Sequence, residues 1–218
     1  MKTSFSSKSL LPPSQPQDVY CCTSCIRSFD TKEKCEDHQV VCLKELQVPG
    51  KEIFRQGECS YYLVDGKEDL AKRLESVGKA FVPRKKLVDL EDYNLVVLVN
   101  RENGCKNVQG YFAKAKSEEW SLNTIFIFEH CRGKGFGKKL IALSYLLQKE
   151  SGKEASPEGP LSESGGEAAF HNFWRSEVLD FLLQRIEDQG KLSLQDITFV
   201  TGIAQVDISN TLTDLGLI

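Results

Sequence analysis

Residues 131–141 read CRGKGFGKKLI, and they follow the apolar run TIFIF of residues 124–128. A short β-branched apolar run bounded by turn signals predicts a buried strand, here within SLNTIFIFEH (121–130). Beyond the glycines the period changes. Leu140, Ile141, Leu143, Leu146 and Leu147 share one broad face of a helix predicted over Lys138–Glu150. A strand that feeds a helix through Gly133, Gly135 and Gly137 points to an α/β chain with a ligand-binding junction. Glycine lets the backbone approach a ligand closely. The free amides at a helix start, reinforced by the macrodipole, attract an anion. Arg132, Lys134 and Lys138 add positive charge, so a diphosphate is the natural guest. The spacing is not a Walker A loop, which needs a longer interval before Gly-Lys. Nor is it G-x-G-x-x-G, because Lys138, Lys139 and Leu140 follow Gly137.

On the N-terminal side, YYLVDG (61–66) ends in an Asp-Gly turn signal. Lys67–Ala80 is predicted helical, with Leu70, Ala71, Leu74 and Val77 at helical spacing. NLVVLVN (94–100) reads as a buried strand, Asn103-Gly104 as a turn, and VQGYFAKAK (108–116) as a strand running hairpin-like into the next. On the C-terminal side, SGKEASPEGPLSESGG (151–166) is a loop. A helix follows over Glu167–Gln189, ended by Gly190. Ser193 and Asp196 form a capping box for a short helix that Gly202 ends, and a last helix runs over Asp207–Leu215. These helices resemble a helix-turn-helix, but residues 191–218 carry only Lys191 against Asp196, Asp207 and Asp214. A DNA-reading helix needs basic residues, so a packing and partner module is expected.

Residues 20–45 hold five of the eight cysteines and one of the three histidines. Cys22, Cys25, His38 and Cys42 are spaced C-x2-C-x12-H-x3-C, which is zinc-ligand spacing. The first pair shares a turn, and the second pair lies at i and i+4 on one helical face. Cys21 would give C-x3-C and is the weaker first ligand; Cys35 falls outside the pattern and is expected to be a packed thiol. Asp30, Glu33, Glu36, Asp37 and Glu45 outnumber Arg27, Lys32, Lys34 and Lys44. Phosphate neutralisation would be poor, so the zinc is expected to serve folding.

The bulk numbers exclude several classes. No apolar run approaches the ~20 residues that span a bilayer, and no signal peptide is evident. A net charge of −3 suits a basic peptide partner better than nucleic acid.

The R-x-x-G-x-G pattern of Arg132–Gly137 resembles the coenzyme A loop of the GCN5-related acetyltransferase superfamily. Further segments resemble MYST-type histone acetyltransferases: GKGFGKKLIALSYLLQKESG, ASPEGPLSESG (155–165), FHNFW (170–174), the zinc spacing, YLVDG, GYFAKAK and the C-terminal LSLQDITFVTGIAQVDISNTLTDLGLI. They agree in order and spacing from about residue 20 to the end. The resemblance implies an acetyltransferase α/β core with an N-terminal zinc finger and a C-terminal helix-turn-helix-like helical domain. Its divisions would be a flexible leader (1–18), a finger (19–45), an acetyl-CoA-binding core (46–166) and helices (167–218). It implies Glu158 as general base for acetyl transfer to a lysine. It places Ile125, Phe126 and Ile127 along the pantetheine arm. Arg132, Gly133, Lys134, Gly135, Phe136, Gly137 and Lys138 fall around the pyrophosphate. Ser162 and Asn172 (His171 if the register slips) become coenzyme contacts. Acetyl-CoA as co-substrate, structural zinc, histone tails or other basic peptides as substrates, partners in a chromatin-modifying complex and a nuclear location follow from the same resemblance. No direct sequence-specific DNA binding is expected.

The chain departs from that family where the usual cysteine aligns with Thr124. A threonine hydroxyl without an adjacent base is a poor nucleophile, so direct attack in a ternary complex is the expected route if the enzyme is active. A catalytically degenerate, scaffolding member is the alternative. The family's self-acetylated lysine would fall on Arg84 or Lys85. Strands preceding the finger are expected to be missing or reduced to the leader.

Overall fold

The structure is a computed structural model that describes residues 4–7, 19–45, 48–81, 89–102, 104–117, 122–157, 165–185 and 192–218. Glu158, Ser162, Arg84, Lys85 and Gly190 lie outside the described residues.

A small antiparallel sheet comes first. β1 (Ser4–Ser7) pairs with β2 (Val19–Cys22), which pairs with β3 (Ser28–Phe29). Ser4–Ser7, read from sequence as part of a flexible leader, is therefore a strand. Its serines carry no apolar alternation, and the pairing rests on backbone groups that every residue type supplies. α1 (Lys32–Glu45) follows.

The main sheet has five antiparallel strands in sequence order: β4 (Lys51–Gln56), β5 (Cys59–Asp65), β6 (Tyr93–Glu102), β7 (Cys105–Ala115) and β8 (Thr124–Ile127). Leu95, Val96, Val97 and Leu98 are all fully buried. Successive strand residues face opposite sides, so β6 is covered on both faces. α2 (Asp69–Phe81) packs against β5, and α3 (Phe136–Glu150) against β7 and β8. α2 approaches so closely that a Cβ on Gly78 would overlap the Tyr111 hydroxyl of β7.

β8 is shorter than the predicted strand. The chain leaves the sheet at Phe128, whose amide donates to Gln109 C=O at 3.1 Å, and turns through a 3-10 segment at Glu129–Cys131. α3 starts two residues ahead of the predicted Lys138, because Gly135, at φ 81, takes the N-cap position.

α4 (Gly166–Gln184), α5 (Leu194–Thr201) and α6 (Gln205–Asp214) complete the chain. α4 ends at Gln184, short of the expected Gln189. Arg185 leaves helical geometry at φ −110, and its guanidinium lies 5.4 Å from the Phe181 ring. The capping box at Ser193 and Asp196 is formed, and Gly202 ends α5 at φ 74. Tyr145 of α3 sits among Phe170, Phe173 and Trp174 of α4, and Trp174 Nε1 donates to its hydroxyl at 2.8 Å. Buried residues of the sheet and of α3–α6 form one continuous apolar cluster, whereas Cys22, Cys25 and Cys35 form a second.

Candidate active site and metal centre

The donor atoms of Cys22, Cys25, His38 and Cys42 all lie within 4.8 Å of one another. β2 ends at Cys22, and a tight turn closed by Ile26 N–H to Cys22 C=O at 2.9 Å returns Cys25 beside it. α1 then presents His38 and Cys42 one turn apart, with the Phe29 ring 4.9 Å from His38. Cys25 Sγ lies 3.1 Å from His38 Nε2. A tetrahedral zinc with Zn–S bonds of about 2.3 Å holds its sulfurs ~3.8 Å apart, so three thiolates and one imidazole at this spacing fit the metal. The Cys22 thiol beside Cys25 holds Cys25 below the usual thiol range, and the same contact pushes Cys22 up. Burial pushes Cys42 up to about 11. Thiols this close resist ionising together, and a bound dication removes that resistance. Cys21, on the opposite side of β2, lies 3.7 Å from Ser28 Oγ; Cys35 is fully buried behind the cluster.

The same turn fastens the finger to the main sheet. Val108 N–H of β7 donates to Thr23 C=O at 2.9 Å, and Thr23 Oγ1 donates to Asn107 Oδ1 at 2.9 Å. Arg73 Nε of α2 donates to Cys25 C=O at 2.9 Å. None of these partners stands out in sequence, because each acts across a long chain separation.

β8 is an edge strand. It pairs with β7 through Gly110↔Ile127, Tyr111↔Phe126 and Phe112↔Ile125, which leaves one row of its backbone donors and acceptors facing away from the sheet. Phe126 is buried, and its neighbours Ile125 and Ile127 are half-buried. Gly133 and Gly135 follow at φ 75 and 81, a region that favours glycine. Among the described residues, no atom beyond the chain neighbours lies within 4 Å of where a Cβ on either would stand, so the loop borders open space there. No side chain caps α3 among the described residues, and its first i→i−4 bond is Lys139 N–H to Gly135 C=O at 3.1 Å. The amides of Phe136, Gly137 and Lys138 therefore precede the helical ladder, the arrangement that suits an anion. Arg132 and Lys134 are exposed beside them. Lys138 differs from its sequence reading. Its ammonium donates to Ser176 Oγ at 2.8 Å and lies 3.9 Å from Glu177, so its side chain serves α4 while its backbone amide faces the loop. Asn172 is exposed on α4, four residues ahead of Ser176 and so on the same helical side.

A family model described as "MOZ/SAS family" matches residues 47–218. The chain belongs to the MOZ/SAS family. It is 35% identical over 207 residues to "Histone acetyltransferase of the MYST family 2" of Arabidopsis thaliana, covering 92% of this chain and 45% of that protein. It is 31% identical over 206 residues to "Histone acetyltransferase KAT6A" of Homo sapiens, covering 92% and 10%. It is 29% identical over 205 residues to "Histone acetyltransferase MOF" of Drosophila melanogaster, covering 92% and 24%. The chain thus spans less than half the length of these curated relatives.

Within this MOZ/SAS chain, a hydroxyl and a thiol lie near the loop. Thr124 Oγ1 donates to Asn123 Oδ1 at 3.0 Å. Cys131 is 2% exposed, and burial pushes its thiol up to about 11, which keeps it neutral and unreactive at pH ~7. His130 lies at the surface, 6.0 Å from the Phe128 ring, and His171 is exposed beside Trp174 at 5.4 Å. Lys139 Nζ, in the first turn of α3, reaches Cys59 Sγ of β5 at 3.4 Å, a contact that no motif signalled.

Proposed function

We propose that this chain transfers the acetyl group of acetyl-coenzyme A to the amine of a lysine in a histone tail or another basic nuclear peptide. The observation that carries this reading is the glycine loop at the uncapped start of α3, beside the outer edge of β8, where Arg132 Nε donates to Ile127 C=O at 3.3 Å. Membership of a family whose relatives bear histone acetyltransferase names supports it. The coenzyme supplies an activated thioester. The amides of Gly133–Lys138, with Arg132 and Lys134, hold its pyrophosphate. The outward edge of Ile125, Phe126 and Ile127 holds the amide-bearing arm as an added strand would be held, and Ser162 and Asn172 give further contacts.

Glu158 removes the proton from the substrate amine, which is mostly protonated at neutral pH with a pKa near ~10.4. Thr124 lacks a base among the described residues and Cys131 is buried and neutral, which favours direct attack of the amine on the thioester. Zinc on Cys22, Cys25, His38 and Cys42 is structural: it fixes the turn that grips β7 and α2. The mildly acidic chain suits a basic substrate. A nuclear location, partners in a chromatin-modifying complex and the absence of sequence-specific DNA binding belong to the same reading.

Transfer of labelled acetyl to core histones tests it, comparing the zinc-loaded chain with Glu158→Gln. Label on lysine that disappears in the variant, with coenzyme binding retained, is the expected result. A folded wild-type chain that binds coenzyme without turnover overturns it in favour of a scaffolding member.

A further inference from the structure

Lys138 is the third residue of α3, in the first turn, where the helix dipole disfavours a cation. Its ammonium has left that turn for α4. It donates to Ser176 Oγ at 2.8 Å and lies 3.9 Å from the Glu177 carboxylate. The Lys138 side chain is 51% exposed and that of Glu177 37%, so the pair is held weakly enough to part. A diphosphate at the loop would reverse the balance in that first turn. The start of α3 would then carry negative charge, and the ammonium would have an anion beside its own helix to bond.

Glu177 gains from keeping the ammonium. It is half-buried, and Lys138 is its only ion-pair partner among the described residues. Burial raises its carboxyl above the usual range, the Lys138 charge draws it back, and Asp180, three residues on, raises it again. An ammonium committed to Ser176 and Glu177 is partly neutralised there and contributes less to an anion at the loop. The two demands on Lys138 therefore oppose each other.

We propose that Glu177 sets the affinity of the glycine loop for coenzyme: with Ser176 it holds the Lys138 ammonium on α4, in competition with the diphosphate that binds at the loop. The inference rests on the coenzyme reading of the loop and adds to it a carboxylate from the first of the C-terminal helices. Acetyl-coenzyme A and the coenzyme A product carry the same diphosphate, so the competition weakens both. Its effect is felt at product release, a step that limits turnover in many enzymes.

Calorimetric titration of coenzyme A into the full zinc-loaded chain tests the proposal. Wild type is compared with Glu177→Gln, Ser176→Ala, Lys138→Met and the double Lys138→Met/Glu177→Gln, and thermal melts establish that each is folded. Glu177→Gln is expected to tighten binding about 2- to 5-fold, the scale of a half-exposed ion pair. Ser176→Ala should tighten it by less, and Lys138→Met should weaken it. In the Lys138→Met background Glu177→Gln should leave affinity unchanged, because the ammonium under competition is gone. Unchanged affinity in Glu177→Gln overturns the proposal. Weaker binding in that variant overturns it too, since the carboxylate would then be aiming Lys138 at the anion. Equal tightening with and without Lys138 also overturns it, since Glu177 would then act by repelling the diphosphate directly. A folded wild-type chain that binds no coenzyme A overturns the reading of the loop and the proposal with it, whereas coenzyme binding that ignores Glu177 overturns the proposal alone.

Discussion

Gly78→Ala is expected to destabilise the protein even though it removes a glycine from the interior of a helix. In an unconstrained helix this change gains about 0.5–1 kcal/mol. In α2 the new methyl would overlap the Tyr111 hydroxyl, and Tyr111 is 2% exposed with its ring 5.8 Å from Phe126, so it has nowhere to swing. Overpacking against a ring held on all sides costs about 2–3 kcal/mol, the upper part of the usual range, which leaves a net loss of about 1–2 kcal/mol. Tyr111→Phe removes the overlapping oxygen; the next ring atom, Cζ, stands 3.5 Å from the new methyl, an ordinary contact. In that background Gly78→Ala becomes stabilising by about 0.5–1 kcal/mol. For a chain of this length 1 kcal/mol moves the thermal midpoint by about 2–4 °C. Melts of the zinc-loaded protein should show a drop of about 2–8 °C in one background and a rise of about 1–4 °C in the other. The double-mutant cycle subtracts whatever Tyr111→Phe does alone. The same sign of effect in both backgrounds would refute the packing argument.

Three further outcomes follow from other contacts. At Gly110→Ala the new Cβ would overlap the Phe126 carbonyl and stand 3.0 Å from Ile127 Cα, both backbone atoms that cannot turn aside. The variant should lose at least ~1–3 kcal/mol of stability and bind acetyl-coenzyme A more weakly by calorimetry, and wild-type affinity would show that β8 is not held by its register on β7. Complete removal of zinc by a chelator should lower the thermal midpoint of the whole chain as well as release the metal, since structural zinc contributes about 10–16 kcal/mol in finger peptides; an unchanged midpoint in verified apo protein would contradict this. Glu52 accepts from Arg55 Nε at 2.6 Å, and that bond holds its carboxyl near about 2, below its ordinary 4.5. The pair's small, solvent-screened contribution is complete above pH 4.5 and is lost as pH falls toward 2. Glu52→Gln should therefore fall below wild type in urea stability at neutral pH and converge with it near pH ~2, and a constant offset would exclude this linkage.

The parts legible in sequence were those written in local pattern. Leu140–Leu147 and Leu70–Val77 declared their helices by period, and NLVVLVN its strand by an unbroken apolar run. The zinc ligands were legible because two chain-local pairs meet at one point. What escaped depends on distant residues or on backbone alone. β1 holds three serines and Phe5, too short a run to show a period. β4 carries no clear alternation, and the end of α4 is set at Arg185 rather than at a glycine. The direction of Lys138 is decided by Ser176, on a different helix, so its charge could be counted from sequence while its aim could not. Asp207 looked like one more acidic residue against DNA binding; its burial is visible only once α6 is docked.

The grip of the finger on the sheet also bears on how the chain reaches its native state. Thr23 and Asn107 are separated by 84 residues, and Arg73 and Cys25 by 48. Closing a loop of the longer span costs about 4 kcal/mol of chain entropy, and contacts of such separation slow folding. A turn set by a metal on Cys22, Cys25, His38 and Cys42 would meet β7 already in its final shape, so zinc there would pre-organise one side of that closure. In chain order the turn precedes β7, so a metal bound at the turn would act on the rate of assembly as well as on the stability of the finished protein.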